Sequence, residues 1–413
     1  MHGSTTWKLV VTLSTLLGVG VPIARADAAS SDTTPVWIPS IAPVPESLPT
    51  HQPIAASWLS SVSCPSPTFC VAVGAVTYGQ SGASYPLIET YANGTWTTSF
   101  PPKPPNTMPD SDFSFGSVSC SAVGSCAAVG IYDKRMSPQT EAQDPLLATL
   151  TNGKWTTTGG SLPKGDLATN GLSDLSCVVG GALCMAVGWA DAGNEPLAYM
   201  LHNGHWQRET SLPMPQSGGQ ILPWGVSCPG AKDCLAYGQE VLPHSSTYFG
   251  ITLTWSSGSW SLESAPAPNW DSPFPFEDPY SVACTDVTDC VFGDETGLFV
   301  LSDGKYAPSA IAIPPLVDNQ GVIFGLSCQA GIGSCVADGF YTVNNMQTGT
   351  LITQSSTGWS VISAPLPSGA STQPSGLSGL SCAKVGFCVA VGQYGGDLFD
   401  PGNSGTALIE RLG

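Results

Sequence analysis

The chain has 413 residues, a net charge of −18 and only 12 Lys and Arg. That balance excludes a protein whose partner is a polyanion, since nucleic acid and anionic membrane both need basic side chains for neutralisation. Its 47 Gly and 36 Pro punctuate alternating apolar runs instead of forming low-complexity tracts, which points to an all-β chain rich in turns.

At the N-terminus Lys8 precedes a mostly apolar stretch over residues 9–23, and Ala24-Arg25-Ala26 and Ala26-Asp27-Ala28 both offer the small-x-small pattern of a cleaved leader. Residues 1–28 are therefore expected to be a signal peptide and 29–413 a single domain, secreted and extracellular. Without Lys8, Arg25 and Asp27 the remainder carries 10 basic and 29 acidic residues, a balance of −19. No later segment reaches the ~18 apolar residues that a membrane-spanning helix requires.

Residues 34–40 read as a short strand carrying Trp37, followed by a Pro-rich stretch. From there one unit recurs seven times. Its first strand ends at a cysteine, as in residues 59–64, and a tight connection leads to a second cysteine that opens the second strand, as in Cys70-Val71-Ala72-Val73-Gly74. A variable loop and a third strand follow, and then Asn-Gly turns the chain into a fourth strand headed by an aromatic: Asn93-Gly94-Thr95-Trp96, Asn152-Gly153-Lys154-Trp155 and Asn203-Gly204-His205-Trp206. Asn-Gly between apolar runs is a strong hairpin signal, because a type I′ turn needs positive φ at both central residues.

The 14 cysteines form seven near-neighbour pairs with none left over. Cys64 goes with Cys70, Cys120 with Cys126, Cys177 with Cys184, Cys228 with Cys234, Cys284 with Cys290, Cys328 with Cys335 and Cys382 with Cys388. An even count at regular spacing in an exported chain implies disulfides. Each would tie the first strand to the second across their hairpin, worth roughly 2 kcal/mol for a loop of this size in the chain-entropy model. The steps between first cysteines are 56, 57, 51, 56, 44 and 54 residues, the length of a four-stranded propeller blade with its loops. The last unit stops at its third strand, residues 406–412, and the strand at residues 34–40 supplies the missing fourth. The expected fold is a seven-bladed β-propeller of four antiparallel strands per blade, closed by an N-terminal strand, which removes the open sheet edge. It is expected to be monomeric.

The phrase Ser61-Val62-Ser63-Cys64, followed by Cys70-Val71-Ala72-Val73-Gly74 and Asn-Gly-x-Trp, resembles repeats of secreted actinobacterial propeller proteins. The hairpin Ser302-Asp303-Gly304-Lys305-Tyr306 is distantly similar to the Asp-box turn of sialidase-type (BNR) propellers, with each gap one residue short. That resemblance implies a fold and not catalysis. Sialidases clamp a carboxylate with three arginines, and beyond residue 28 there are only Arg135, Arg208 and Arg411, with Arg208 expected in a fourth strand and Arg411 at the end of a third, away from one another.

In such a propeller the first-to-second and third-to-fourth hairpins share one face, and here they are short and uniform. The opposite face receives the variable connections at residues 75–85, 131–144, 239–249 and 393–404, and the linkers at 101–114, 158–171, 213–223 and 266–279. Loops on a rigid scaffold are where binding residues concentrate, so a ligand is expected on that face, around the central channel. Blades five and six break the pattern there with acids: Asp338 replaces the second valine of Cys-Val-Ala-Val-Gly, Asp294 and Glu295 follow Gly293, and the linkers add Glu277, Asp278 and Asp318. Converging carboxylates would hold Ca²⁺ through oxygen ligands or act as an acid/base pair on a glycan; solvated acids in an acidic protein read the same way. The aromatic and proline run at residues 270–276 suits either stacking on a sugar or a lid over blade five. There is no HExxH, no G-x-S-x-G and no Ser/His/Asp arrangement. The expected role is a non-catalytic binding or interaction module with an unidentified protein or glycan ligand and no firmly implied cofactor. The alternative is a carbohydrate-active hydrolase or lyase using the carboxylates of blades five and six.

Overall fold

The computed structural model describes residues 36–413 apart from 80–82, 109–111, 138–139, 163–170, 191–194, 216–217, 243–247, 265–279, 294–296, 304, 309–320, 330–333, 345, 356–357, 371–373 and 397–404. The 1–28 leader expected from the sequence lies outside these residues. Each repeat is one antiparallel sheet whose strands are hydrogen-bonded in chain order. The chain opens with β1 (Trp37–Ile41). Blade one is β2 (Ile54–Ser66), β3 (Phe69–Tyr78), β4 (Ala83–Ala92) and β5 (Thr95–Ser99). Blade two is β6 (Phe113–Ala122), β7 (Ser125–Ser137), β8 (Thr140–Thr151) and β9 (Lys154–Gly159). Blade three is β10 (Gly171–Cys177), β11 (Leu183–Ala190), β12 (Glu195–His202) and β13 (His205–Glu209). Blade four is β14 (Gln220–Gly230), β15 (Asp233–Val241), β16 (Tyr248–Ser256) and β17 (Ser259–Ser264). Blade five, with the shortest strands, is β18 (Ser281–Asp286), β19 (Asp289–Gly293), β20 (Leu298–Ser302) and β21 (Lys305–Pro308). Blade six is β22 (Gly321–Cys328), β23 (Cys335–Val343), β24 (Met346–Ser355) and β25 (Gly358–Ser363). Blade seven combines β26 (Ser375–Lys384), β27 (Phe387–Tyr394) and β28 (Thr406–Leu412) with β1, in the order β1-β28-β27-β26.

The closing strand sits in register from Trp37 opposite Leu412 to Ile41 opposite Leu408, as the sequence predicted. The third-to-fourth turns follow their residues: Asn93 and Gly94 have φ of 53° and 86°, Asn152 and Gly153 of 52° and 74°, which side chains other than Asn and Gly adopt at a cost. All seven expected disulfides are formed, each across the first hairpin of its blade. Cys64 is bonded to Cys70, Cys120 to Cys126, Cys177 to Cys184 and Cys228 to Cys234. Cys284 is bonded to Cys290, Cys328 to Cys335 and Cys382 to Cys388. No cysteine is left free.

Blades pack face to face through the apolar residues of their first three strands. Val71, Val73 and Ile88 of blade one meet Phe113, Phe115 and Val118 of blade two. On its other side, Leu59, Val76, Leu87 and Tyr91 meet Val389, Val391, Ala407 and Ile409 of blade seven. This last cluster joins the first repeat to the last and makes the architecture a ring. The seven-bladed propeller read from the repeat is the fold observed.

A second tie runs around the inside of the ring. The first strands form the channel wall, and the serine before the first cysteine of a blade accepts a hydrogen bond from the cysteine N–H of the next blade. Ser63 accepts from Cys120 at 2.9 Å, Ser119 from Cys177 at 2.9 Å, Ser176 from Cys228 at 3.0 Å and Ser227 from Cys284 at 3.0 Å. Ser327 accepts from Cys382 at 3.2 Å and Ser381 from Cys64 at 2.9 Å. The Ser-Cys dipeptide of the repeat therefore serves twice, as staple and as girdle. In blade five the residue is Ala283, which has no hydroxyl to offer the Cys328 N–H, so the girdle is interrupted between blades five and six.

Candidate functional site

The central channel encloses about 420 Å³ and is walled by the first strands of all seven blades. Its shape is set by a feature that the repeat encodes in one glycine. In blade one Gly74 pairs with Leu59 and Val73 with Ser61, so Ser60 is an extra, bulged residue. The same bulge recurs at Gly116, Ser173, Trp224, Phe324 and Ser378. A bulge bends its strand and re-aims a side chain. It also drives the strand's carbonyl onto its neighbour: a Cβ at Gly74, Gly130, Gly188, Gly238, Gly339 or Gly392 would run into the carbonyl oxygen of Trp58, Ser114, Gly171, Leu222, Val322 or Gly376 respectively. The last glycine of Cys-Val-Ala-Val-Gly is present because only a residue without Cβ admits that approach.

The bulged residues and Tyr280, which holds the equivalent place just before β18, all line the channel, three residues nearer the loop-bearing face than the serine girdle. They divide it in two. Blades seven, one, two and three contribute Ser378, Ser60, Gly116 and Ser173, while blades four, five and six contribute Trp224, Tyr280 and Phe324. These aromatics are partly exposed and braced from behind. Trp224 packs on Trp189 with centroids 5.2 Å apart, Tyr280 meets Phe324 edge-on at 5.2 Å, and Phe324 lies 5.9 Å from buried Phe340. The indole N–H of Trp224 is buried, so the side chain shows the channel only carbon. Opposite, the Ser173 hydroxyl donates to the carbonyls of Val187 and Pro223, at 3.1 and 3.0 Å, and that of Ser378 donates to the Leu59 carbonyl at 2.6 Å.

The residue three before the first cysteine faces the second valine of Cys-Val-Ala-Val-Gly across the sheet, and the two trade volume. Gly225 opposes Tyr237, and Gly325 opposes Asp338. In each case the large side chain fills the space over the glycine, where a Cβ would strike it. Asp338 is thus fully buried behind Gly325 and does not line the channel. Neither of its oxygens makes a well-formed hydrogen bond, although the N–H groups of Gly325 and Gly379 approach it. Burial pushes its carboxyl well above the usual range, only partly opposed by those two N–H groups.

Of the six acids expected to converge, Asp338 alone falls among the described residues; Glu277, Asp278, Asp294, Glu295 and Asp318 lie outside them, as does the aromatic run at 270–276. Among the described residues no three His, Cys, Asp or Glu side chains are grouped so as to hold a metal ion. The acid that does line the channel is Asp174 of blade three. Its carboxylate accepts the Ser117 hydroxyl of blade two at 2.8 Å and the Val226 N–H of blade four at 2.9 Å. Burial raises its pKa to about 6 against these bonds. Sequence reasoning passed over it, and the signal was its departure from the Ser61 and Ser117 of the sister phrases. The arginines stay apart: Arg208 lies on β13 of blade three and Arg411 on β28 of blade seven.

No family model matches the chain, and no curated protein matches its sequence. Among solved structures, the sialidase of Trypanosoma rangeli in complex with sialic acid is 10% identical with a TM-score of 0.45, the match covering 92% of this chain and 58% of that one. A protein of unknown function from Dyadobacter fermentans is 8% identical with a TM-score of 0.46, covering 91% and 97%. The GH74 xyloglucanase from Xanthomonas campestris is 10% identical with a TM-score of 0.48, covering 87% and 53%. The chain thus spans little more than half the length of the sialidase and the xyloglucanase. At this distance the likeness says nothing of chemistry.

Proposed function

We propose that the chain is a secreted, non-catalytic binding module that takes its ligand in the central channel, from the loop-bearing face. The observation that carries this is the braced aromatic arc of Trp224, Tyr280 and Phe324, partly exposed in a concave space of about 420 Å³. Small-molecule sites combine a cavity of roughly 300–1,000 Å³ with aromatic walls and a few polar groups. The seven disulfides support an oxidising compartment, and no described helix is long and apolar enough to cross a membrane. Carboxylate-pair chemistry needs two acids within reach of the bound ligand. Among the described residues Asp174 is the only acid that lines the channel, and its oxygens are engaged by Ser117 and Val226. The test is to incubate the protein with a panel of cell-wall and plant polysaccharides and follow both retention and product release. Retention without any new reducing or unsaturated ends is expected. Release of such ends would replace this reading with a hydrolase or lyase.

A further inference from the structure

We infer that the Trp224, Tyr280 and Phe324 arc takes an uncharged saccharide. This rests on the channel reading above and adds the class of ligand. Three properties of the wall select it. First, among the described residues the channel lining contains no Lys, Arg or His, in a chain of net charge −18, so an anionic ligand would find no counter-charge there and a repulsive field. Second, the acid that lines the channel among the described residues, Asp174, already accepts from Ser117 and Val226, one bond on each oxygen, so its carboxylate is engaged by the fold before a cation arrives. Third, the wall is two-sided in the way a sugar ring is two-sided. A pyranose presents C–H groups on its face and hydroxyls around its rim. An aromatic face carries negative charge density that attracts such C–H groups, and the arc supplies it.

The rim finds both kinds of partner. Ser173 and Ser378 have given their hydrogens to backbone carbonyls, so their oxygens remain as acceptors. The girdle serines are the reverse. Ser63, Ser119, Ser176, Ser227, Ser327 and Ser381 each accept a cysteine N–H, and among the described residues no bond uses their own hydrogens, which are left to donate into the channel. At Gly116 the wall has no side chain at all, which leaves room opposite the arc for the ring.

The test uses isothermal titration of the protein with neutral cello-, xylo-, manno- and malto-hexaose, with oligogalacturonate as the anionic probe and tetramethylammonium as the cationic one. Two variants approach the site from opposite sides. Gly116→Tyr fills the channel from the bare wall, where a Cβ meets nothing nearer than 3.6 Å, so its melting temperature should stay within a degree or two of wild type. Phe324→Ala removes one face of the arc, and Phe324→Tyr restores it. At least one neutral hexaose should bind, with Kd raised tenfold or more in Gly116→Tyr and Phe324→Ala and recovered in Phe324→Tyr. If only oligogalacturonate or tetramethylammonium binds, and Gly116→Tyr weakens it, the saccharide class is wrong while the channel reading stands. If no probe binds, or Gly116→Tyr changes no binding, the saccharide site is overturned; binding that ignores Gly116→Tyr removes the channel reading with it.

Discussion

Asp338 shows how a single substitution in a repeat is absorbed. At the matching position Val73, Val129, Val187 and Val391 lie among the blade cores, and an acid there is tolerated because Gly325 vacates the space opposite. The cost is desolvation, which pushes its carboxyl well above the usual range. Two further buried acids, Glu89 and Glu410, and the half-buried Asp174 are shifted the same way: burial raises Glu89 to about 7, Glu410 to about 8 and Asp174 to about 6. The ion pair found among the described residues, Lys134 with Asp144, involves none of them. Each therefore has a folded pKa above its unfolded value near 4. As pH rises through that interval the unfolded chain releases protons that the folded chain keeps, so stability falls with rising pH. At ~1.4 kcal/mol per unit, the loss between pH 5 and pH 8 is on the order of several kcal/mol. Thermal unfolding should give the highest midpoint near pH 4–5 and a clear decline by pH 8. Asp338→Asn should flatten that decline with little change at pH 5; an identical slope in wild type and variant would show that Asp338 ionises freely.

Among the elements, the girdle offers a direct measurement. Six blades hand a serine hydroxyl to the next cysteine N–H, and blade five does not. Ala283→Ser should restore the seventh bond and add about 0.5–1.5 kcal/mol, read as a raised denaturation midpoint at unchanged m-value; no gain would mean that Cys328 lies too far from blade five for the bond. Much of this scale was legible in the sequence. Asn-Gly turns specify their own backbone, and cysteines six or seven residues apart name the hairpin that joins the first strand to the second. The bulge was not. Inserting one residue shifts a strand's alternation by one position, and the mark it leaves is small: the apolar residues fall three apart instead of two, Leu59 to Val62 and Phe115 to Val118. The bulged positions therefore read as ordinary variation, Ser60 here and Trp224 there, although together they form the channel wall. Charged residues in the loops stand out instead, because rarity makes a signal visible whether or not the groups meet.

At the scale of the molecule, closure depends on five residues. Deleting residues 29–44 removes β1, opens the edge of β28 and exposes the side of blade seven that Trp37 covers. An unpaired edge invites pairing with another chain. Light scattering coupled to size exclusion should show oligomers or aggregates for the truncated chain and monomers for the intact one. A monomeric truncation with an unchanged melting temperature would mean that the other three strands of blade seven suffice. The placement of β1 also has a mechanical consequence. Trp37 and Leu412 are opposite one another, so the two ends of the ring leave blade seven side by side, at the same end of an antiparallel pair. Tension applied there loads the Trp37–Leu412 rung first, then Ile38–Arg411, and so on to Ile41–Leu408, one rung at a time. All seven disulfides lie within their own blade's first hairpin, so none crosses that path. The molecule is clasped seven times over against loss of any blade, and under load it peels from one seam like a zip.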